Sequence, residues 1–498
     1  MTKGMMAGLL AGAAVAGAFG AETVEIAVDC AEVVGTRAYP ERYLNNSIMH
    51  APPPALADRM VKEYGRPKIV RCWLQLEKMW NRKTGTYDFN HRIPRRVYQD
   101  AHRTDKPDGT AITNRVVYAT EKFEDYLDAF SRNSEEILLN IRAIGLDDEA
   151  AKGTFPMSMW KEVFEKGLRH YKERYPNIRY VEVLNEAEAA SKFTCDQYYP
   201  FYQAAYGIVG KLNSELKPAV PLLVGGPCTC SFNKKFIDRF LDLYAQDTDP
   251  RKRLDFLSFH DYSSMRNPSI YGTFEEYFRG RFLKAGLPGN LPIFMTEVGV
   301  GGGSNPTPDP ERNRMQAVAE TTYVYYARHS ANLHVFPWVL FHLRRQLCYA
   351  QFTQELNMTP FGAAVKAWSL HKDREIGTVA TPVATNLGVY AMASLDDTGA
   401  AIQVWNYQAM PDKTHPEPGP SAVARVAIRN LPAKWAQSKL RVRQYLIDSV
   451  HSNCFAGNKE GSGQLQQVSC VETEAKALEK LTVNLEPNAI CLWLVDAP

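Results

Sequence analysis

The amino-acid sequence predicts an α/β protein in which a (β/α)8 barrel is followed by a smaller β-sandwich. Between residues 37 and 372, strand-like and helix-like runs alternate, and this alternation is typical of βα units that build a parallel sheet. From residue 373 to 498, short strand-like runs lie between Pro, Gly and Asp or Asn turns with almost no helical periodicity, which favours a separate β-sandwich. A chain of 498 residues that is 45% hydrophobic has ample core for both domains.

The N-terminus has the pattern of an export signal. Lys3 precedes the apolar, Ala/Gly-rich segment Met5–Phe19, which small residues follow. We therefore expect a signal peptide at 1–20 and a secreted or periplasmic protein; a disordered apolar tail is the alternative. Residues 21–36 are predicted to be one extended segment that could add a strand to the sandwich.

Eight predicted strands, each followed by a helix, fit a TIM barrel with insertions, in which the C-terminal tips of the strands carry the active site. The strands are predicted at 43–49, 68–75, 137–142, 178–185, 221–225, 254–260, 291–297 and 335–341. The helices are predicted at 54–64, 121–132, 157–175, 197–216, 234–245, 274–285, 312–330 and 360–371. The sandwich strands are predicted at 378–389, 400–407, 422–428, 439–447 and 481–495.

Charge and cysteine usage exclude several classes of partner. The formal net charge of +3 is small and the Lys and Arg are dispersed, so neither a nucleic-acid stripe nor a polybasic membrane patch is present. No His/Glu cluster has metal-ligand spacing, and the glycine-rich stretch 299–304 lacks the Lys of a phosphate loop, so no metal and no cofactor are expected. The nine cysteines leave at least one free thiol, and a disulfide among Cys454, Cys470 and Cys491 would be unsurprising.

Two barrel strands end in a carboxylic acid. Asn185 and Glu186 end the fourth strand, and Glu297 ends the seventh. Both tips open onto one bowl, where two carboxylates could flank the bond that a glycosidase cuts. Strict alternation would place Asn185 and Glu186 on opposite faces, so both can face the bowl only if the strand is irregular at its tip, for instance through a bulge. Glu182 shares a face with Glu186 but lies too deep.

Other strand ends offer side chains suited to hold a sugar or an acid. His260 and Tyr262 follow strand six. Trp338 at strand eight could form a floor for the apolar face of a sugar. Arg71 on strand two could keep the nucleophile ionised. Each residue alone has an ordinary structural explanation, but their joint placement on the strand tips favours catalysis.

The Asn-Glu pair on strand four with a Glu on strand seven resembles the clan A glycoside hydrolases. Within that clan the chain is most similar to glycoside hydrolase family 39, the family of β-xylosidases and α-L-iduronidases. Three stretches outside the site carry the narrower resemblance: Thr84–Phe89 after strand two, Val404–Tyr407, and Tyr445–Asp448 with His451–Asn453.

The resemblance implies a role for each site residue. Glu186 would be the acid/base, Glu297 the nucleophile and Asn185 the contact to the 2-hydroxyl group. The side chains lining the subsite of the bond being cut would be those of His260, Tyr262 and Trp338.

Two departures from the family pattern concern the sugar. The family usually carries a His two residues after the strand-two Arg, where this chain has Trp73 after Arg71 and Cys72. An aromatic residue is common after the nucleophile, where this chain has Val298 and glycines. Both changes fall where the sugar would sit, so neither xylose nor iduronic acid follows from the resemblance.

We therefore expect a retaining glycoside hydrolase that cleaves O-glycosyl bonds of poly- or oligosaccharides by double displacement. Glu186 should begin protonated, with its pKa raised by its surroundings, while Glu297 stays ionised. One alternative is a catalytically silent carbohydrate-binding barrel, although a binder has no need of both acids. Another is a structural or adhesion role for the sandwich.

Overall fold

The structure, a computed structural model, describes residues 22–46, 52–98, 114–142, 146–301, 309–342, 348–409, 418–456 and 463–497. The predicted signal peptide at 1–20 and the end of the glycine-rich stretch, 302–304, lie outside the described residues. Within the described ranges, no helix has both the length and the apolar character that crossing a bilayer requires.

The predicted barrel is confirmed. Its eight strands pair in parallel, each with the next along the chain. The N–H of Leu340, after strand eight, donates to the carbonyl of Asn45 on strand one at 2.8 Å and so helps to close the ring. Barrel strands one to eight are Tyr43–Asn45, Ile69–Gln75, Glu136–Arg142, Ile178–Val183, Leu223–Thr229, Phe256–Asp261, Ile293–Val298 and Leu333–Pro337.

Helices cover the outside of the barrel, and most begin and end within a few residues of the predicted positions. Their sequences bury an apolar face against the strands, as amphipathic helices do. Thr194 and Gln197 form a capping box that starts the helix after strand four. The main helices are Ala55–Tyr64, Phe123–Arg132, Met157–Arg174, Cys195–Leu216, Lys234–Gln246, Phe274–Lys284, Asp309–Ala327 and Pro360–Ser369.

The second domain is built from nine strands that join in one mixed sheet. The segment Glu22–Thr36 lies within it, antiparallel to Arg374–Thr381 and parallel to Ala422–Arg429. The sheet curls around one apolar core, so its strands are hydrogen-bonded continuously instead of forming two separate sheets. The other strands are Gly388–Asp396, Gly399–Tyr407, Lys439–Ile447, Gln466–Glu474, Leu481–Leu485 and Ala489–Asp496.

Two strand predictions in this domain were wrong, and one strand was missed. The runs 378–389 and 481–495 are each two strands, since Pro382 lacks the N–H for a continuous ladder and Asn488 adopts a left-handed φ of 59°. The strand Gln466–Glu474 was missed because it is a largely exposed edge strand with no alternating buried face. All nine cysteines are free thiols, including the three for which a disulfide was considered.

Aromatic side chains join the two domains. The indole of Trp405, on the curled sheet, is fully buried and donates to Thr322 Oγ1 on the helix Asp309–Ala327 at 2.9 Å. Tyr390 stacks on Trp405 with ring centroids 5.5 Å apart. The hydroxyl of Tyr407 donates to the carbonyl of Met265, which follows strand six of the barrel.

The buried histidine His371 makes the junction sensitive to acid. Its ring nitrogens lie 2.9 Å from Ser394 Oγ and 3.2 Å from Gln403 Oε1, and burial lowers its pKa to about 3. The unfolded chain takes up this proton near the ordinary pKa of about 6.5. The contribution of neutral His371 to stability is therefore fully present above that pH and is lost as the pH falls towards 3.

We expect the free energy of unfolding, measured with urea, to fall between pH 7 and pH 5 by up to about 2 kcal/mol from this group. The variant His371→Gln keeps a polar partner for Ser394 and removes the titration, so it should lose less over the same range. Identical pH dependence in both proteins would contradict the assignment.

Candidate active site

Arg71 lies at the bottom of the bowl and holds three side chains. Strand two is buried along its whole length, and Arg71 is fully buried. Its guanidinium donates from Nε to Glu182 Oε2 at 2.8 Å, from Nη1 to Glu297 Oε1 at 2.7 Å and from Nη2 to Asn185 Oδ1 at 2.8 Å. Burial opposes the charge, but the neighbouring carboxylates outweigh burial and raise the pKa of Arg71. One cation thus orders strands four and seven.

Glu297 is fixed through both carboxylate oxygens. Oε1 accepts from Arg71, and Oε2 accepts from the hydroxyl of Tyr262 at 2.8 Å. Burial raises the pKa of Tyr262 well above its usual value, so the phenol remains a neutral donor. The side chain of Glu297 is only 6% exposed. These two contacts fix the orientation of the carboxylate.

The tip of strand four has the irregularity that two adjacent inward side chains require. The strand ends at Val183, and both Leu184 (φ 61°) and Glu186 (φ 51°) adopt left-handed backbone. These two residues, and not a bulge, turn Asn185 towards Arg71 and Glu186 towards His260. Left-handed backbone at non-glycine residues costs on the order of 1 kcal/mol or more each and clusters at functional sites.

His260 pairs with Glu186. Nδ1 of His260 lies 2.8 Å from Glu186 Oε1 and 3.7 Å from Glu297 Oε2. Burial acts to raise the pKa of Glu186, but the hydrogen bond and the charge of His260 outweigh it and lower the pKa. Burial acts to lower the pKa of His260, but Glu297 and Glu186 outweigh it and raise the pKa.

The expectation that Glu186 begins protonated with a raised pKa was therefore wrong for the free protein. The two opposite shifts favour His260 over Glu186 as the holder of the proton that this pair shares, because carboxylates surround the imidazole. Glu186 must acquire the proton before it can act as an acid.

The two acids lie close together. One oxygen of Glu186, one of Glu297 and a ring nitrogen of His260 fall within 4.8 Å of one another. Such a trio could hold a cation, but Arg71 and Tyr262 already occupy the oxygens of Glu297 and place a positive charge beside them. The arrangement is better suited to proton transfer and nucleophilic attack.

Two tryptophans form one wall. Trp73 on strand two and Trp338 after strand eight have ring centroids 6.0 Å apart. The guanidinium of Arg71 lies 5.0 Å from the ring of Trp73, and the carbonyl of Trp338 accepts from Gln316 at 3.2 Å. The indole of Trp73 thus lies beside Arg71, in the wall next to the acid pair.

The structure brings all eight predicted site residues into one contact network, while their roles stay predictions. Sequence reasoning missed three further members, Asn140, Thr296 and Cys228. Asn140 Nδ2 and Thr296 Oγ1 donate to the two oxygens of Glu182 at 2.9 and 2.7 Å, and Cys228 lies against His260. The available signal was a polar residue inside an otherwise apolar barrel strand.

Comparison with known proteins supports the same architecture. The sequence matches no family model and no curated protein. The structure is similar to a monomeric β-xylosidase from Caulobacter crescentus, with 14% identity, a TM-score of 0.63 and coverage of 95% of this chain and 99% of that one. It is similar to a GH39 enzyme from Xanthomonas axonopodis pv. citri, with 15% identity, a TM-score of 0.65 and coverage of 96% and 98%.

A third similar structure is a bacterial orthologue of human α-L-iduronidase, with 14% identity, a TM-score of 0.63 and coverage of 96% of this chain and 84% of that one. The similarity spans both domains in each case. The chain therefore has the fold of glycoside hydrolases of the GH39 type, as its strand-four and strand-seven acids suggested.

Proposed function

We propose that the protein is a retaining glycoside hydrolase that cleaves O-glycosyl bonds in poly- or oligosaccharides. The observation that carries this proposal is the pair of acids on strands four and seven, with oxygens of Glu186 and Glu297 within 4.8 Å of each other. Carboxyl groups about 5–5.5 Å apart suit a covalent intermediate, whereas inversion needs about 6.5–9.5 Å to admit a water.

In the first step Glu297 attacks the anomeric carbon and the bond to the leaving oxygen breaks. Arg71 and Tyr262 hold the attacking carboxylate in position. Glu186 protonates the leaving oxygen after a bound sugar has displaced water, which disfavours charge on Glu186 and draws the proton from His260.

In the second step a water replaces the leaving group. Esterification removes the negative charge of Glu297, so the pKa of Glu186 falls and Glu186 becomes the base. Its carboxylate takes a proton from the water as the oxygen attacks the anomeric carbon. Release of Glu297 restores the starting state and retains the anomeric configuration.

Activity on a panel of glycosides tests the proposal. The panel starts with aryl β-xylosides and α-L-iduronides, because the similar structures include a β-xylosidase and a bacterial orthologue of α-L-iduronidase, and it extends to plant and algal polysaccharides. Proton NMR of the first-formed anomer separates retention from inversion. Sugar binding without turnover would support the silent carbohydrate-binding barrel instead. We also propose that the protein is exported. Determining the N-terminus of the mature protein tests this proposal, because export would remove the signal peptide predicted at 1–20.

The variant Glu186→Ala should slow substrates with poor leaving groups by about 10²- to 10⁴-fold, the usual contribution of general acid–base catalysis. Substrates with good leaving groups need little protonation, so their first step should change much less. Azide should then speed the second step and give a glycosyl azide with retained configuration, because azide needs no general base.

The matched control is Glu188→Gln. Glu188 accepts from the backbone N–H of Cys230 at 2.6 Å and has no hydrogen bond to His260. Its rates should stay within a few-fold of the wild type. Equal losses for good and poor leaving groups in Glu186→Ala would argue against the acid/base assignment.

A further inference from the structure

The thiol of Cys228 lies on the far side of His260 from Glu186. Cys228 is fully buried on strand five, Leu223–Thr229. Its Sγ is 3.3 Å from His260 Nε2 and 3.5 Å from Arg71 Nη2. The carbonyl of the same residue accepts the N–H of Glu186 at 2.9 Å. The two ring nitrogens of His260 are thus divided between Glu186 and Cys228, and Cys228 contacts both Glu186 and His260.

A neutral thiol can serve this imidazole in either protonation state. Burial raises the pKa of Cys228 well above its usual value, so the sulfur keeps its proton. When both nitrogens of His260 carry protons, Nε2–H donates to sulfur, and S–H faces Asn185 Oδ1 at 3.7 Å. When the pair has lost its shared proton, Nδ1–H still donates to Glu186 and Nε2 accepts from S–H. Sulfur is a weak partner in both roles.

We propose that Cys228 is a positioning residue that sets the proton affinity of the Glu186–His260 pair through its weak hydrogen bond with His260 Nε2. The proposal rests on the proposed function, in which this pair supplies the proton for the leaving oxygen. A strong acceptor at this position would hold the proton on His260, and the absence of an acceptor would drive it off.

Other charged and titratable groups also face the pair. They are Arg71 on strand two, Arg142 on strand three, Glu182 on strand four, Glu188 after strand four, Tyr262 after strand six and Glu297 on strand seven. Substitution of Cys228 removes none of these groups, so the variants at this position are compared in the same charged surroundings.

Two substitutions should move the pH profile in opposite directions. The basic limb of kcat/KM reports loss of the shared proton from the free enzyme. In Cys228→Ser the hydroxyl is a stronger acceptor for Nε2–H, so the basic limb should move up by about half a pH unit. In Cys228→Ala a buried Nε2–H has no acceptor, so the limb should move down by about one unit.

A change in packing alone would not produce shifts of opposite sign. The matched control Cys491→Ser replaces another fully buried thiol, in the curled sheet, and should leave the profile unchanged. Shifts of the same sign in both Cys228 variants, or no shift in either, would overturn the proposal.

A second measurement needs no turnover. In protein with ¹⁵N-labelled histidine, the two ring-nitrogen shifts of His260 report its protonation, with His260→Gln providing the assignment. The apparent pKa should rise in Cys228→Ser and fall in Cys228→Ala. If no glycoside is cleaved, the proposed function fails, while this titration still decides whether the thiol governs the pair; an unchanged titration overturns the role of Cys228 alone.

Discussion

Replacing Glu297 with alanine is expected to reduce kcat by about 10⁴-fold or more, a loss of the order seen when a catalytic nucleophile is removed. The substitution leaves no atom that can form the glycosyl ester, while Tyr262 and Arg71 still line the site. Sugar binding should persist. Azide should occupy the vacated space, attack the anomeric carbon directly and give a glycosyl azide of inverted configuration.

The measurement is the turnover of an aryl glycoside with a good leaving group, together with the anomeric configuration of the azide product by NMR. The control Glu276→Ala removes an exposed carboxylate from the helix Phe274–Lys284 and should turn over at the wild-type rate. Full activity in Glu297→Ala, or an azide product of retained configuration, would contradict the assignment of Glu297 as the nucleophile.

Replacing Arg71 with methionine is expected to lower the free energy of unfolding by about 3–5 kcal/mol, because removal of one partner leaves buried charges uncompensated. Glu182 is fully buried and Glu297 nearly so, and both pair with this guanidinium. Lysine at this position keeps the charge but cannot reproduce three contacts from one planar group. Urea denaturation at neutral pH measures the loss.

The double variant Arg71→Met with Glu182→Gln should recover part of that stability, since it removes one of the stranded charges. In the wild type, burial acts to raise the pKa of Glu182 and Arg71 outweighs it, so the pKa lies below its usual value. Without Arg71 that pKa should rise, and the deficit of the single variant should shrink as the pH is lowered. A loss below about 1 kcal/mol in the single variant, with no recovery in the double variant, would show that Arg71 does not stabilise the buried carboxylates of the site.

Most of the barrel could be predicted because each strand is an apolar run of limited length bounded by helix signals. Strand three, predicted at 137–142, spans Glu136–Arg142. The strand Gln466–Glu474 has no such apolar run, because it lies at the edge of the sheet and most of its side chains are exposed or only partly buried. The hairpin Arg92–Tyr98 with Asn114–Lys122, which lies in the excursion after strand two, was likewise missed.

The sequence by itself determined where the acids lie. The runs that end in Glu186 and Glu297 occupy the fourth and seventh places among eight parallel strands, and the tips of such strands converge on one face. That convergence follows from topology and needs no knowledge of side-chain contacts.

Only the tertiary structure decided what state those acids are in. Proton affinity depends on partners within a few ångströms, and the partners of Glu186 come from other strands, with His260 at 2.8 Å and the carbonyl of Cys228 on its backbone N–H. The same holds for Glu182, which is too deep for chemistry yet anchors the cation that holds Glu297. A strand pattern places a residue on a tip, but only the closed barrel brings to it the charge that sets its pKa.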